Sequence, residues 1–347
     1  MENEKLIWKL RETGSLTLGE YADLIANRNE ASRQLLAKLA AEQAGAVYGN
    51  RVFVRGLVEI SNLCKNDCLY CGIRRGNKQC DRYRLTREQI LDCADEGYRL
   101  GFRTIVMQGG EDGFFTDDVV CDVVGSIKRM HPDCAVTLSL GERSKESYQR
   151  LYDAGADRYL LRHETADRDH YQSLHPAEMS FENRMQCLRD LHEIGYQTGC
   201  GFMVGSPGQT VAHLAKDLKF VETFQPEMCG IGPFIPHRDT PLGNQPAGTV
   251  ELTCYLLSII RLIKPNILLP ATTALGSIDP MGREKGILSG ANVVMPNLSP
   301  ADVRGKYMLY NNKLSSGAEA AQNLEELKTR MAAIGYEVVV DRGDIVR

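Results

Sequence analysis

Apolar residues along the chain follow two spacings, one typical of amphipathic helices and one typical of buried strands. In residues 2–48, leucine, isoleucine and tyrosine recur every three or four positions, which predicts two or three helices with Ser15 or Thr17 as a cap. From Arg51 onward, short apolar runs alternate with helix-length segments. The predicted strands are 52–60, 104–108, 135–140, 158–161, 197–204, 228–232, 267–270 and 292–295. The predicted helices between them include 86–100, 144–154, 181–194 and 211–224.

Eight strands that alternate with helices imply parallel pairing and right-handed crossovers. Eight is also the number of strands that closes a (β/α)8 barrel. An open doubly wound sheet is the alternative, although the first loop lacks the G-x-G-x-x-G fingerprint of that fold. We therefore predict an α/β fold, a TIM barrel of parallel strands at residues 51–310. A helical extension at 1–50 precedes it, and a short C-terminal helix and tail at 311–347 follow.

The C-terminal part of the chain departs from the strand–helix alternation. Residues 299–310 are predicted to form a loop, and residues 318–334 a helix. Residues 336–340 are expected to form a short strand or an extended tail.

Composition excludes several classes of protein. Of the 347 residues, 43% are hydrophobic and 25% are charged, which excludes disordered, collagen-like and low-complexity chains. A net charge of −4 provides no overall basic field for nucleic acid or anionic lipid. No apolar run is long enough to span a membrane, and the N-terminus lacks the apolar core of a secretory signal. With eleven cysteines and no such signal, we expect a cytoplasmic protein that has no nucleic-acid or membrane partner.

The most specific chemical pattern is LCKNDCLYCG at 63–72, which spaces Cys64, Cys68 and Cys71 as C-x3-C-x2-C. Three thiolates on one short loop can converge on one metal centre. Structural zinc and electron-transfer clusters generally use four protein ligands, so three leave a coordination position open. Two alternatives stay open: Cys80 completes a four-cysteine zinc site, or the thiols are unliganded core residues. Tyr70 is expected to pack over whatever the cysteines bind.

Polar and glycine-rich stretches follow the predicted strands, where barrel enzymes carry their reactive residues. Charged groups directly after an apolar strand are costly unless they are paired or face a cavity, and this applies to Arg162 and Glu164. They alternate on one side of an extended chain and so point inward together, with a structural ion pair as the alternative. Arg184, in SFENR, is either a fork for a carboxylate or a surface charge, and the residues alone favour the surface.

The three-cysteine motif, with an aromatic residue before its last cysteine, resembles that of the radical S-adenosylmethionine (SAM) family. The resemblance implies a [4Fe–4S] cluster held by three thiolates, with the fourth iron chelated by the amino and carboxylate groups of SAM. It also implies reductive cleavage of SAM to methionine and a 5′-deoxyadenosyl radical. Members of this family use a complete or partial barrel, in agreement with the predicted fold.

Longer strings resemble one branch of that family, the HydE maturases of [FeFe]-hydrogenase, over roughly residues 57–310. They are SNLCKNDCLYCGIRR, SLGE, DRYLLRHETA, SFENR, GIGPFIPH and PATTALG. The resemblance implies an organometallic iron substrate that carries CO, cyanide and cysteine and is supplied by HydG. It further implies transfer to the scaffold HydF and a reduced electron donor such as a ferredoxin or flavodoxin. Two alternatives are a methylornithine synthase- or biotin synthase-like enzyme, acting on an amino acid or dethiobiotin, and a zinc-binding structural protein.

The resemblance also assigns residues. SAM and cluster contacts fall on Tyr70, Gly109, Gly110, Glu111, Ser139, Glu142, Glu164, Arg184, Met203 and Gly205. The catalytic set around the substrate cavity is Gln108, Thr137, Arg162, Thr272, Thr273, Met295 and Tyr307. Within this set, the guanidinium and hydroxyl groups suit anionic diatomic ligands and a carboxylate. Some HydE proteins have a second cysteine cluster near the C-terminus, but the last cysteine here is Cys254, so no second cluster is expected.

Overall fold

A computed structural model describes residues 2–315, 317 and 320–347, and its N-terminal helices lie where the apolar spacing predicts them. They are α1 (Glu2–Thr13), α2 (Leu18–Ala26) and α3 (Glu30–Tyr48). Thr17 caps α2 in a capping box: its hydroxyl accepts from the Glu20 N–H, and the Glu20 carboxylate accepts from the Thr17 N–H. None of the described helices is long and apolar enough to cross a bilayer.

Parallel strands form the wall of the barrel. Those of its first half are β1 (Arg51–Val54), β2 (Gly56–Ser61), β3 (Thr104–Gly109), β4 (Ala135–Ser139), β5 (Arg158–Leu160) and β6 (Gln197–Cys200). Those that follow are β7 (Met203–Val204), β8 (Met228–Cys229), β9 (Gly232–Pro233), β10 (Val293–Val294) and β11 (Glu337–Val339).

Strand pairing closes this wall into a ring. Within the described residues, β2, β3, β4, β5, β6 and β8 pair in that order. The remaining part of the ring follows through the parallel bridges Met228–Leu268 and Pro270–Val293. The pairing of β10 with β1, together with the bridge Leu57–Asn297, returns it to the first strand. The predicted (β/α)8 barrel is confirmed.

Several strands are shorter than predicted. The expected strand at 267–270 makes only isolated bridges, and Pro270 has no N–H to donate to a ladder. The predicted strands at 52–60, 197–204 and 228–232 are each broken in two. At one break the backbones come very close, because a Cβ on Gly201 would overlap the Gly230 carbonyl group. Only glycine permits that approach.

Helices alternate with the strands as the pattern predicts. They are α4 (Arg87–Arg99), α5 (Asp117–Met130), α6 (Lys145–Asp153), α7 (Arg168–Leu174), α8 (Phe181–Ile194) and α9 (Val211–Phe224). They continue with α10 (Val250–Ile263), α11 (Thr273–Ile278), α12 (Gly282–Leu288), α13 (Ala301–Arg304) and α14 (Leu324–Ala333). The short helix α13 lies inside the segment predicted as a loop, so that expectation is wrong there. In the predicted helix 318–334, residues 318 and 319 lie outside the described residues, and a 3₁₀ turn (Ala321–Asn323) precedes α14.

The two faces of each barrel strand differ in chemistry. On β3, Ile105 and Met107 belong to the main hydrophobic core beneath the helices. Gln108 lies on the opposite face because successive strand residues alternate. It pairs in register with Ser139 of β4, so both side chains point into the barrel. The interior of the barrel is therefore polar near the carboxyl ends of its strands.

The C-terminal tail covers the opposite end of the barrel. Strand β11 pairs with β1, and the chain then runs beneath the interior. The fully buried guanidinium of Arg158 donates to Asp344 at 2.5 Å and to the Arg342 carbonyl at 2.8 Å. Thr104 donates to the same carbonyl at 2.8 Å. The loops at the carboxyl ends of the strands thus lie at the uncovered end.

Candidate active site

The loop after β2 carries the three predicted metal ligands at that uncovered end. The Glu111 N–H, just after β3, donates to Cys64 Sγ at 3.3 Å, and the Cys71 N–H donates to the Cys68 carbonyl at 3.4 Å. Burial raises the pKa of Cys71 to about 12 and the pKa of Cys68 well above its ordinary value. Such thiols ionise when a cationic centre compensates for their burial, and ligation of iron provides that compensation.

Two glycines let neighbouring segments touch this loop. A Cβ on Gly110 would overlap the Leu63 carbonyl oxygen and lie 2.8 Å from Cys64 Cβ. A Cβ on Gly72 would overlap the Met308 carbonyl oxygen, and the Gly72 N–H donates to the next carbonyl, that of residue 309, at 2.8 Å. Any larger residue would push the loop away, so these glycines set where the cysteines lie relative to β3.

The residues present fit an iron–sulfur cluster better than a preformed zinc site. Cys80, the proposed fourth zinc ligand, accepts a hydrogen bond from Asn62 Nδ2 at 3.6 Å and lines a groove shared with His237 and Lys306. Within residues 2–315, 317 and 320–347, no three His, Cys, Asp or Glu side chains are arranged to hold a single metal ion. A cluster tolerates wider spacing than a single ion, because each thiolate binds its own iron.

Glu111 connects the cysteine loop with the loop after β4. Its Oε2 pairs with Lys65 Nζ at 3.0 Å, and its Oε1 accepts from the Glu142 N–H at 3.1 Å. A cavity of about 350 Å³ opens beside it and includes Gly110 and Glu142 in its lining. Three predicted SAM contacts therefore share one wall, and Gly109 leads into it from the end of β3.

Arg184 is the clearest correction to the residue-based expectation. It lies on α8, is buried rather than on the surface, and donates from Nε to Glu142 Oε1 at 2.5 Å. Its Nη1 donates to the Arg162 carbonyl at 2.6 Å. Asn183 donates to the second Glu142 oxygen at 2.6 Å. One face of α8 thus turns into the site, which the sequence of a single amphipathic helix does not reveal.

Arg162, Glu164 and Thr137 have buried polar atoms without hydrogen-bond partners. Arg162 Nη2 and Glu164 Oε2 form an ion pair at 3.2 Å, yet neither makes a hydrogen bond to any described residue. The same holds for Arg162 Nε and Thr137 Oγ1. Leaving a buried polar group unsatisfied costs about 1–3 kcal/mol, so these groups are suited to a ligand rather than to the fold.

Glu164 also has a strained backbone, with φ = +64°. A non-glycine residue in this left-handed region costs about 1–2 kcal/mol. The expectation that Arg162 and Glu164 alternate along an extended chain is therefore wrong at Glu164, although the two side chains do meet. Strain of this kind is frequent at ligand sites, where the surrounding structure holds it in place.

The other predicted cavity residues come from different parts of the ring. Gln108 Nε2 donates to the Tyr307 hydroxyl at 3.4 Å. Thr272 Oγ1 donates to the Ile231 carbonyl at 3.3 Å, and the next residue, Thr273, begins α11. Met295 packs against an apolar cluster that includes Met228 and Leu268. Four of the five lie at or just beyond the carboxyl ends of strands, whereas Tyr307 follows α13 and reaches the site from there.

Tyr70 and Met203 lie together at the rim. Met203 is buried with Leu174 and Phe234, and Tyr70 packs against this cluster. The Tyr70 hydroxyl lies 3.2 Å from His175 Nε2, and His175 Nδ1 lies 2.8 Å from the Tyr171 carbonyl. That carbonyl takes the Nδ1 hydrogen, so Nε2 accepts from Tyr70. Gly205, with φ = +75°, forms the turn after β7.

A buried charge cluster in the barrel has no counterpart among the predicted site residues. Glu59 on β2 accepts from Lys313 Nζ at 2.7 Å and from Asn297 Nδ2 at 2.8 Å. Glu59 is completely buried, and Lys313 lies 5.5 Å from the centre of the Tyr307 ring. The lone carboxylate inside the apolar run GLVEIS was the available signal. Nothing in the sequence pairs it with a lysine more than 250 residues later.

Comparisons with known proteins place these features in a family. Residues 58–221 match the radical SAM superfamily. The chain is 45% identical over 314 residues to the [FeFe] hydrogenase maturase subunit HydE of Thermotoga maritima, covering 90% of this chain and 89% of that protein. The chain belongs to the HydE family of radical SAM enzymes.

More distant relatives agree with the fold. The chain is 28% identical to the 3-methylornithine synthase of Methanosarcina acetivorans, covering 92% of this chain and 87% of that protein. The crystal structure of methylornithine synthase (PylB) superposes with a TM-score of 0.85 at 24% identity, covering 96% of this chain and 97% of that one. The resemblance to radical SAM enzymes and the barrel fold are both confirmed.

Proposed function

We propose that this HydE-family enzyme acts in the assembly of the [FeFe]-hydrogenase active site, on an iron complex that carries CO, cyanide and cysteine. Cys64, Cys68 and Cys71 hold a [4Fe–4S] cluster, and no second C-terminal cluster takes part. When bound, the cluster supplies the electron that cleaves SAM to methionine and the 5′-deoxyadenosyl radical. The half-buried cysteines and the glycine contacts around them support this assignment.

SAM lies along the wall formed by the loops after β3, β4 and β5. Gly110 leaves room for the backbone to approach the ligand, and Glu142 and Glu164 provide acceptors for its amino group. Arg184 holds Glu142 through the 2.5 Å contact and so orients that acceptor. Tyr70, Gly109, Glu111, Ser139, Met203 and Gly205 complete the proposed SAM and cluster contacts.

The substrate lies deeper in the barrel. The single observation that carries this proposal is that two buried Arg162 nitrogens and the buried Thr137 hydroxyl make no hydrogen bond to any described residue. Donors of this kind suit an anionic ligand set, because charge-assisted hydrogen bonds replace the water the ligand loses. Gln108, Thr272, Thr273, Met295 and Tyr307 complete the proposed cavity, and the closed barrel keeps water away from the radical.

The proposed partners are those that the resemblance to HydE implies. HydG supplies the iron–cysteine substrate, HydF receives the product, and a reduced ferredoxin or flavodoxin supplies the electron. The alternative in the same superfamily is an enzyme acting on an amino acid, as the name of the methylornithine synthases implies for those proteins. The two possibilities differ in substrate and not in the SAM chemistry.

The first experiment is electron paramagnetic resonance on anaerobically reconstituted, reduced protein, with and without SAM. A [4Fe–4S]⁺ signal that changes when SAM is added supports the open iron site. Protein that contains zinc and shows no signal would refute the proposal. Incubation with the HydG product, compared with incubation with lysine or dethiobiotin, then identifies which substrate is consumed.

Arg162→Met tests the substrate site. Loss of one charge-assisted contact is worth about 1.5–3 kcal/mol, so we expect substrate affinity to fall roughly 10- to 100-fold. The SAM-induced change in the spectrum should persist, and its loss would show that Arg162 serves SAM instead. Arg189→Met is the matched control. Among the described residues, the Arg189 side chain makes hydrogen bonds only to Gln186 of its own helix.

A further inference from the structure

Backbone hydrogen bonds to the segment that joins β6 and β7 fix the strained turn at Glu164. The Glu164 N–H donates to the Gly201 carbonyl at 3.0 Å, and the Met203 N–H donates to the Glu164 carbonyl at 3.1 Å. These bonds fix the backbone of Glu164 between β6 and β7. They do not by themselves explain why the chain turns into the left-handed region at a glutamate, since only glycine and, less often, Asn or Asp do so readily.

The carboxyl group of Asp217, on α9, contacts the chain on both sides of Glu164. Its Oδ1 accepts from the Ala166 N–H at 2.5 Å. The same oxygen lies 3.4 Å from His163 Nε2. Both side chains of this pair are completely buried. One oxygen atom therefore contacts the residue before Glu164 and the residue two positions after it.

The hydrogen on His163 can be assigned from its surroundings. The Gly201 N–H donates to His163 Nδ1 at 3.4 Å, so Nδ1 carries the lone pair and Nε2 carries the hydrogen. That hydrogen faces Asp217. Burial lowers the pKa of His163 to about 3 and raises the pKa of Asp217 well above its ordinary value. The imidazole is thus neutral at physiological pH, and its Nε2 hydrogen lies near the Asp217 carboxyl group without making a hydrogen bond to any described residue.

The His163–Asp217 pair does not stabilise the fold efficiently. Asp217 Oδ2 has no hydrogen-bond partner among the described residues, and the rings of Phe202 and Phe220 flank His163. An apolar residue would fill this space without the cost of burying an acid. The contacts that Asp217 does make are those that hold the turn.

We propose that Asp217 is a positioning residue for SAM. By accepting from the Ala166 N–H and packing against the His163 ring, it keeps Glu164 in the left-handed conformation and directs the Glu164 carboxylate into the site. This inference rests on the proposed function, in which Glu164 contacts SAM. Asp217 itself touches neither SAM nor the cluster.

The test measures the dissociation constant of SAM from the SAM-induced change in the spectrum of reduced, reconstituted enzyme. Asp217→Ala should weaken SAM binding at least about ten-fold, equivalent to ~1.4 kcal/mol. Asp217→Asn keeps Oδ1 and both of its contacts, so its dissociation constant should stay within about three-fold of wild type. Asp190→Ala is the control, because Asp190 is another buried helical acid whose carboxylate accepts from Gln186 one turn away.

A double-mutant cycle separates positioning from general structural damage. Once Glu164→Gln has removed the carboxylate, adding Asp217→Ala should change SAM affinity little further. The same fold-loss in both backgrounds would overturn the inference, as would wild-type affinity in Asp217→Ala or an Asn variant as defective as the Ala variant. If Glu164→Gln alone binds SAM normally, the assignment of Glu164 fails and the inference fails with it. Wild-type enzyme that does not respond to SAM would instead refute the proposed function.

If Asp217→Ala does not fold, His163→Phe decides the question. It keeps the aromatic packing and removes both the contact with Asp217 and the acceptor of the Gly201 N–H, so SAM affinity should fall only when Glu164 is present. Unchanged affinity in this variant would overturn the inference.

Discussion

Replacing Lys313 by methionine is the most informative test of how the barrel interior is held together. The substitution keeps much of the side-chain volume and removes the ammonium group that lies 2.7 Å from Glu59. The two side chains are only 6% and 0% exposed, so water cannot take over the role of the lost partner. Among the described residues, Glu59 then keeps a single side-chain donor, Asn297, at 2.8 Å.

The magnitude follows from this burial. Removing one member of a buried ion pair costs about 3–5 kcal/mol, because the remaining charge stays desolvated without compensation. Since Asn297 still donates to one carboxylate oxygen of Glu59, we expect a loss near the lower limit, about 3 kcal/mol. Adding Glu59→Gln removes the uncompensated charge and keeps an acceptor for Asn297. The double variant should therefore recover at least half of the lost stability.

The assay is the free energy of unfolding from urea curves, measured under reducing, anaerobic conditions at matched cluster content. Lys306→Met is the control, because the Lys306–Asp81 pair is 36% and 71% exposed and such pairs contribute about 0–1 kcal/mol. If Lys313→Met were no less stable than Lys306→Met, the buried pair would not hold the interior as argued. A double variant less stable than Lys313→Met would refute the charge-based explanation.

Three further outcomes are expected. Gly110→Ala should lose most of its iron on reconstitution, since the added methyl group overlaps the cysteine loop, whereas Gly113→Ala, with open space around it, should keep its iron; equal iron contents would contradict this. Cys80→Ser should retain a normal cluster spectrum, and loss of the metal would favour the zinc alternative. Hydrogen bonds and the buried Arg158 hold the pKa of Asp344 below its ordinary value although burial opposes this, so its contribution to stability is present above about pH 4 and lost as the pH falls further. Asp344→Asn should thus lower the free energy of unfolding from urea curves at pH 7 by roughly 1 kcal/mol after solvent screening, and much less at pH 3; a loss independent of pH would contradict the ion-pair explanation.

Local features were predictable because their physics is local. The capping box at Thr17 and the helix at Phe181–Ile194 follow from side chains that satisfy neighbouring backbone groups and from apolar residues at helical spacing. The cysteine loop was equally readable, since three ligands within eight residues need no distant partner. Strand ends were harder to place. The break at Gly201 depends on Gly230, which lies between β8 and β9.

Long-range pairings in the site were beyond the sequence pattern. Arg184 shares the helical spacing of the buried residues Cys187 and Leu188, but its charge favoured the surface, and only the packing of α8 against the loop after β4 pairs it with Glu142. The same is true of Asp217, whose helix reads as an ordinary amphipathic segment. In each case the helix alone is compatible with an exposed or a buried position for the charged side chain, and the neighbouring segment decides between them.

The sequence by itself determined the alternating architecture, the three-cysteine loop and, through long motifs, the family to which the chain belongs. The tertiary structure alone decided which charges are buried together, such as Glu59 with Lys313 and His163 with Asp217. The physical reason is that helix caps and ligand spacing depend on residues a few positions apart. The cost of burying a charge depends instead on which distant residues the tertiary fold places next to it.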